Sequence, residues 1–401
     1  MLKLPSSVEI KQFFPNHRIE IVKKFLLLLG CIYKSGSVNL NLCKRKAPDL
    51  LGKKHLNLSN IYARFIRFFK MEDTSVFSIG IALLIFNTVK DIQENTYIIL
   101  DRTNWQLGKK KINILQLGIG LFNYSMIPIL GIPLGNKKGN SSEAERIGLL
   151  NLFLGLSPFI PTDSIVIGDR EFIGKKWFAH IIKAGLSFVF RVRKDDYLLD
   201  IALSAGLSIS KLNRKIKRKV KANGFYFQEF KMDGNTYYYL VVWDKASKKG
   251  QDRYVRLVSN KKEIKQILEA YKYRWEIEVY FRKTKSDGFK LEDINFTDDD
   301  KIMVMASIVG YLYTIVLVKG MEQDFKKPQK MQYFINRKTR YKRISYFTQG
   351  LDALASAILK LTDFISFIRK KIKKKVWINT QFLQRFKGKS IPIILKNIKS
   401  V

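Results

Sequence analysis

The chain has 401 residues, 46% of them hydrophobic, which excludes a disordered or fibrous protein and leaves room for more than one domain. It carries 73 Lys and Arg against 34 Asp and Glu, a formal net charge of +39. So large an excess repels itself on folding unless a polyanion neutralises it, which points to nucleic acid as the partner.

Two cysteines, Cys31 and Cys43, and three scattered histidines, His17, His55 and His180, make neither a disulfide framework nor a zinc cluster. All three histidines read as structural, and the expected location is a reducing bacterial cytoplasm, at the nucleoid. The opening MLKLPSSVEIKQFF has no apolar run of a signal peptide.

Residues 1–95 read as a basic, mostly helical region and are assigned to DNA binding. From 97 the runs TYIIL, INILQLGIG and MIPILGIPLG predict three strands in a meander. SSEAERIGLLNLFLGL predicts a helix with Ser and Glu capping its start. SIVIG predicts a buried strand, KKWFAHIIKAG a helix and SFVFRVR another strand. Strands followed by alternating helix and strand give an α/β domain with a mixed sheet, whose first part is taken as 96–195. Residues 196–253 break that rhythm and are read as a β-rich insertion, because FYFQEFK, the turn MDGN and TYYYLVVWD spell a hairpin. The second part of the core, 254–320, holds the strand YVRLVSN, a long helix from about 261 to 285, and IMVMASIVGYLYTIVLV at 302–318. That uncharged run is short for a membrane span and is read as a core helix. Residues 321–401 form a basic, helical C-terminal region with twenty Lys and Arg against four acids. Its run RKKIKKK at 369–375 reads as a solvated face.

YKYRWEIEVYFRKTK, 271–285, holds the densest pattern of charge and rings. Wound as one helix at ~100° per residue, Tyr271, Arg274, Glu278 and Lys285 share a face, at about 0°, −60°, −20° and −40°. Tyr273, Ile277, Tyr280 and Phe281 fall opposite and are expected to pack on the core. Trp275, at about +40°, lies at the edge of the charged face. By itself the pattern also fits an ordinary helix laced with i,i+4 ion pairs.

Two further carboxylates bear on it. Asp101 is expected to end the strand YIIL, and Asp169 the strand IVIG. Either one alone fits a strand-end turn or a helix cap. Together with Glu278 they make three carboxylates without histidine or thiolate, a donor set that selects Mg²⁺ or Mn²⁺ over zinc. Two such ions can serve phosphoryl transfer.

Tyr-x2-Arg-x3-Glu-x6-Lys at Tyr271, Arg274, Glu278 and Lys285, with DRTNW around Asp101 and DREF around Asp169, resembles the DDE transposases of bacterial insertion sequences, in the insertion-sequence-four family. The resemblance covers roughly 97–320. It implies a ribonuclease H-like core with Asp101 and Asp169 on adjacent strands, interrupted by a β-rich insertion before the glutamate. It implies cleavage of transposon ends, a hairpin intermediate in some members, joining to target DNA, and a homodimer in a synaptic complex on double-stranded DNA. By the same resemblance Asp101, Asp169 and Glu278 are the catalytic metal ligands. Tyr271, Arg274 and Lys285 are expected to contact DNA beside the cleavage site. Trp275 stands where members can hold a flipped base, and Arg191 matches the basic residue after the second aspartate. A catalytically inactive DNA-binding relative and a stand-alone metal-dependent nuclease are the alternatives.

Overall fold

The computed structural model describes residues 7–89, 97–121, 125–135, 139–156, 163–244, 253–328, 331–333, 340–342, 344–358 and 360–371. Six helices come first: α1 (Ser7–Lys11), α2 (Ile19–Ser35), α3 (Leu40–Lys44), α4 (Ala47–Leu51), α5 (Leu58–Phe68) and α6 (Thr74–Val89). The meander follows as β1 (Tyr97–Leu107), β2 (Lys110–Leu121) and β3 (Ser125–Pro133). Then come α7 (Glu143–Leu156), β4 (Ile165–Gly168), α8 (Lys175–Lys183) and β5 (Ser187–Arg191). The expected cap of α7 is a reciprocal one: Ser142 N donates to Glu145 Oε2 at 2.6 Å and Glu145 N to Ser142 Oγ at 3.2 Å.

The segment at 196–253 begins with two helices, α9 (Leu198–Ser204) and α10 (Ile209–Asn223), and only then forms the hairpin β6 (Phe225–Met232) and β7 (Asn235–Trp243). Asp233 and Gly234 both take positive φ, 49° and 77°, as a tight hairpin turn requires. The hairpin joins the main sheet through β8 (Tyr254–Ser259). One eight-stranded sheet results, in the order β3-β2-β1-β4-β5-β8-β7-β6. β1, β4 and β5 run parallel, and every other neighbouring pair in the sheet is antiparallel.

The remaining elements are α11 (Ile264–Lys272), α12 (Arg274–Lys285), α13 (Asp299–Lys326), the ribbon β9 (Met331–Tyr333) and β10 (Arg340–Lys342), α14 (Tyr346–Ala357) and α15 (Leu361–Lys371). The basic run at 369–375 closes α15 as far as Lys371, and its other residues lie outside the described residues. α13 is long and apolar enough to cross a membrane by length and composition, but 89% of its most apolar window is buried inside the fold. It packs on α6, α14 and β3, as a core helix. One continuous apolar cluster joins residues of α2 and α6 to those of α13 and α15, so the N-terminal helices share the core of the sheet domain.

Two expectations are corrected. Asp101 does not end its strand: β1 runs six residues further, because β2 pairs with it all the way to Leu107. What ends beside Asp101 is the ladder to β4, whose last pair is Ile99 with Ile167. The helix expected over 261–285 is broken at Tyr273. There the hydrogen bonds tighten to the third residue back, Tyr273 N to Ala270 O and Glu276 N to Tyr273 O, both 3.1 Å. The Tyr273 ring lies 4.3 Å from that of Tyr97, over Gly120, where a Cβ would stand 2.8 Å from the ring. Tertiary packing of one ring thus divides the helix.

Both cysteines are free and buried. His17 and His180 bond to Glu72 O and Asn151 Oδ1 at 3.2 and 2.7 Å.

Candidate active site

Three parallel strands set the geometry. Ile99 pairs with Ile167, and Ile167 with Val189. Counting two residues on, past the last paired residues Ile99–Ile167 and Gly168–Phe190, brings Asp101, Asp169 and Arg191 to one level across the strands, which in a sheet lie ~4.8 Å apart. Positions two apart on a strand share a face, so the three side chains stand on the face that carries Ile99, Ile167 and Val189. α11 seals that face, packing Ile264, Ile267, Leu268 and Ala270 against Ile167 and Val189.

β4 stops at Gly168, and a turn from Asp169 to Phe172 (Phe172 N to Asp169 O, 2.9 Å) folds the chain back. The Phe172 ring takes the space of a side chain at 168, where a Cβ would come within 2.8 Å of it.

α11 and α12 bring the sequence motif to the row. Arg274 Nη1 donates to Glu278 Oε1 at 2.6 Å. The guanidinium lies 5.9 Å from the Tyr271 ring centre and 5.4 Å from that of Trp275. Trp275 is 59% exposed, whereas Ile277 and Tyr280 on the other side of α12 are buried. Tyr273 and Phe281 are half-buried against the core. Lys285 stands further along β1, donating to Asn104 O at 2.9 Å. It pairs with Glu292 at 2.9 Å and lies 5.6 Å over the Trp105 ring. Tyr271, Arg274 and Glu278 are therefore together, and Lys285 is separate from them.

Burial raises the Asp101 carboxyl to about 7. The Arg102 amide, which donates to its Oδ1 at 2.7 Å, and the Arg274 charge oppose that shift, while Glu171 and Asp169 add to it. Burial pulls Arg274 down, but Tyr271, Glu278 and Asp169 outweigh it, so its pKa stands above the ordinary value. Burial raises Tyr271 too, opposed by Arg274 and Arg191 and reinforced by Asp169. Arg274 thus feels Tyr271, Glu278 and Asp169, and Asp101 feels Arg274 and Asp169.

A family model described as the transposase DDE domain matches residues 94–315, more than half of the chain. The chain belongs to the DDE transposase family. The match opens just before β1, encloses the eight-stranded sheet and ends within α13. A search among curated proteins finds no match. Membership makes the chain a transposase-type nuclease and recombinase with DNA as substrate, and the mixed sheet is compatible with a ribonuclease H-like DDE domain. The family generally uses divalent metal ions.

Among the described residues, no three His, Cys, Asp or Glu side chains stand close enough to hold one ion together. Glu278 is instead held by Arg274. The donors nonetheless suit a hard divalent cation. They are all carboxylate oxygens, two of them neighbours in the row. Asp169 Oδ1 is buried with no hydrogen-bond partner among the described residues. A buried acceptor left so is costly unless a ligand completes it.

Sequence reasoning missed Arg102 and Glu171. They form a two-pronged ion pair, Nε to Oε1 and Nη2 to Oε2, each 3.0 Å. The available signal was an arginine one residue after the first aspartate and a glutamate two after the second, charges of opposite sign to each other. Arg146 was missed too. It is buried and donates from Nη1 to Ile173 O at 3.0 Å.

Proposed function

We propose that the chain is a transposase of the insertion-sequence-four group that binds the ends of an insertion sequence, cuts them and joins them to target DNA. Asp101, Asp169 and Glu278 would hold Mg²⁺ or Mn²⁺, as two ions, which when bound would supply activation of the attacking oxygen and charge neutralisation for phosphoryl transfer.

The chain's own residues do the rest. Asp101 and Asp169 stand two residues beyond the last residues paired between β1 and β4, on neighbouring segments of the sheet. Glu278 completes the ligand set when Arg274 exchanges it for a DNA phosphate, a partner of the same charge and fork geometry. Tyr271 and Arg191 flank that phosphate. Trp275, exposed and backed by the Arg274 guanidinium, offers a flat surface for an extruded base. Lys285 reaches the DNA by leaving Glu292. The synaptic homodimer rests on the family resemblance alone.

The observation that carries this reading is the row of Asp101 and Asp169, with a partnerless buried oxygen, beneath the helix that bears Glu278. A strand-transfer assay tests it: a labelled transposon end is incubated with target plasmid and Mg²⁺. Joined products are expected. Cleavage without joining would make the chain a stand-alone nuclease, and binding without cleavage an inactive relative.

A further inference from the structure

We propose that Arg102 and Glu171 are positioning residues that fix the separation of Asp101 and Asp169. The inference rests on the reading of those aspartates as divalent-ion ligands.

The backbone leaves a gap beside the two aspartates. The β1–β4 ladder ends at Ile99 and Ile167, two residues short of the aspartates. No backbone hydrogen bond of that ladder holds the strands together at the row itself. The next tie between the two segments is the Arg102–Glu171 pair. Arg102 follows Asp101 directly, and Glu171 lies in the turn that Asp169 opens. Both side chains are mostly buried, 14% and 17% exposed.

The pair is anchored on each side. Arg102 Nη1 donates to Asn113 Oδ1 at 3.1 Å, on β2, and Nη2 reaches Asn140 Oδ1 at 3.4 Å. The turn is pinned from behind by Arg146, whose guanidinium lies 5.4 Å from the Phe172 ring centre. Bridge and turn therefore form a brace from β2 through β1 to the end of β4. A planar fork on a carboxylate fixes distance and angle together, which one point charge does not.

Strand alternation excludes the obvious rival role. Arg102 projects to the face opposite Asp101, away from Tyr271, Arg274 and Glu278, so it is no phosphate contact of that site. Nor is stability a sufficient account, because ion pairs of partial burial contribute little net stability. Groups that orient metal ligands from behind do have a measurable effect: their loss typically weakens metal binding ~10–100-fold.

The test is Mn²⁺ binding to the full chain, by calorimetry or by the paramagnetic resonance of free Mn²⁺. Arg102→Lys keeps the charge and loses the fork; Glu171→Gln keeps the shape and loses the charge. Each is expected to weaken Mn²⁺ at least ~10-fold, and the double variant no more than the worse single one, because both remove one brace. Unchanged affinity in either single variant overturns the proposal, as does a double loss equal to the product of the two. Should Glu171→Gln fail to fold, Arg102→Lys decides alone. Asp169→Asn is the control: if wild type binds no Mn²⁺, or Asp169→Asn binds it equally well, the metal-site reading itself fails.

Discussion

One transverse row of the sheet has two different halves. On the parallel strands it reads Asp101, Asp169, Arg191. Across β8, β7 and β6 the same row continues as Leu257, Leu240 and Phe227. Both halves lie on one face, and α11 packs against the leucines as it does against Ile167 and Val189. The difference is where the row falls along each strand. On β4 and β5 it falls where the strand ends, so the chain departs and leaves half-buried side chains at the sheet's end. On β8 and β7 it falls mid-strand beneath the helix, where only apolar groups are sealed without loss. Asp169 and Arg191 thus sit where their strands stop, Asp101 sits mid-strand where the ladder to β4 has already ended, and the same register elsewhere builds core.

Moving a charge from one half of the row to the other should have the largest effect. Leu257→Asp puts an unpaired carboxylate into a fully buried position. It is expected to cost ~3–5 kcal/mol or to prevent folding. Asp169→Asn, in the other half of the row, should leave metal-free stability unchanged or higher, since it removes a buried charge. Urea unfolding of both variants checks this, and equal losses would dissolve the distinction.

A smaller effect comes from protons. The native Asp101 carboxyl is held near 7, above its ordinary 3.8, so between those values the native state binds a proton that the unfolded chain releases. Asp101's contribution to the stability of the metal-free chain should therefore be fully present below the ordinary value and be lost as pH rises from about 4 through 7, by at most ~1.4 kcal/mol per pH unit. Glu276, which burial also raises to about 7, adds a like contribution. Asp101→Asn should flatten that slope. A slope equal to wild type would place the titration elsewhere.

On the DNA side, Arg274→Ala should weaken end binding and flatten the log–log salt slope by ~0.9, the share of one phosphate. An unchanged slope would leave Arg274 as the internal partner of Glu278 only. The smallest effect is expected at Trp275, whose exposure makes it a surface residue of α12. Trp275→Ala should change stability by no more than ~0.5 kcal/mol while reducing hairpin yield. Normal hairpins with a lower melting temperature would return Trp275 to packing.

Much of this architecture is legible in the residues themselves. The meander, the capped α7, the Asp-Gly hairpin and the apolar face of α12 each follow from local pattern, and so does the spacing of Tyr271, Arg274 and Glu278. What was not legible depends on pairing over long sequence distance. RTNWQL after Asp101 looks like a loop by composition and is strand because β2 holds it. The helix break at Tyr273 needs Tyr97 and Gly120, more than 150 residues earlier. The alignment of Asp101, Asp169 and Arg191 is a product of register, which no single segment contains. Arg102 and Glu171 were visible as charges, but their meeting was not.

Asp101, Asp169 and Glu278 are proposed to form one divalent-ion site that cuts DNA. The most direct measurement is cleavage of a labelled transposon end in Mg²⁺ by wild type and by Asp101→Asn, Asp169→Asn and Glu278→Gln, with a gel shift of the same DNA alongside. Each variant is expected to bind the end and to leave it uncut; cleavage at the wild-type rate by any one of the three would contradict the assignment.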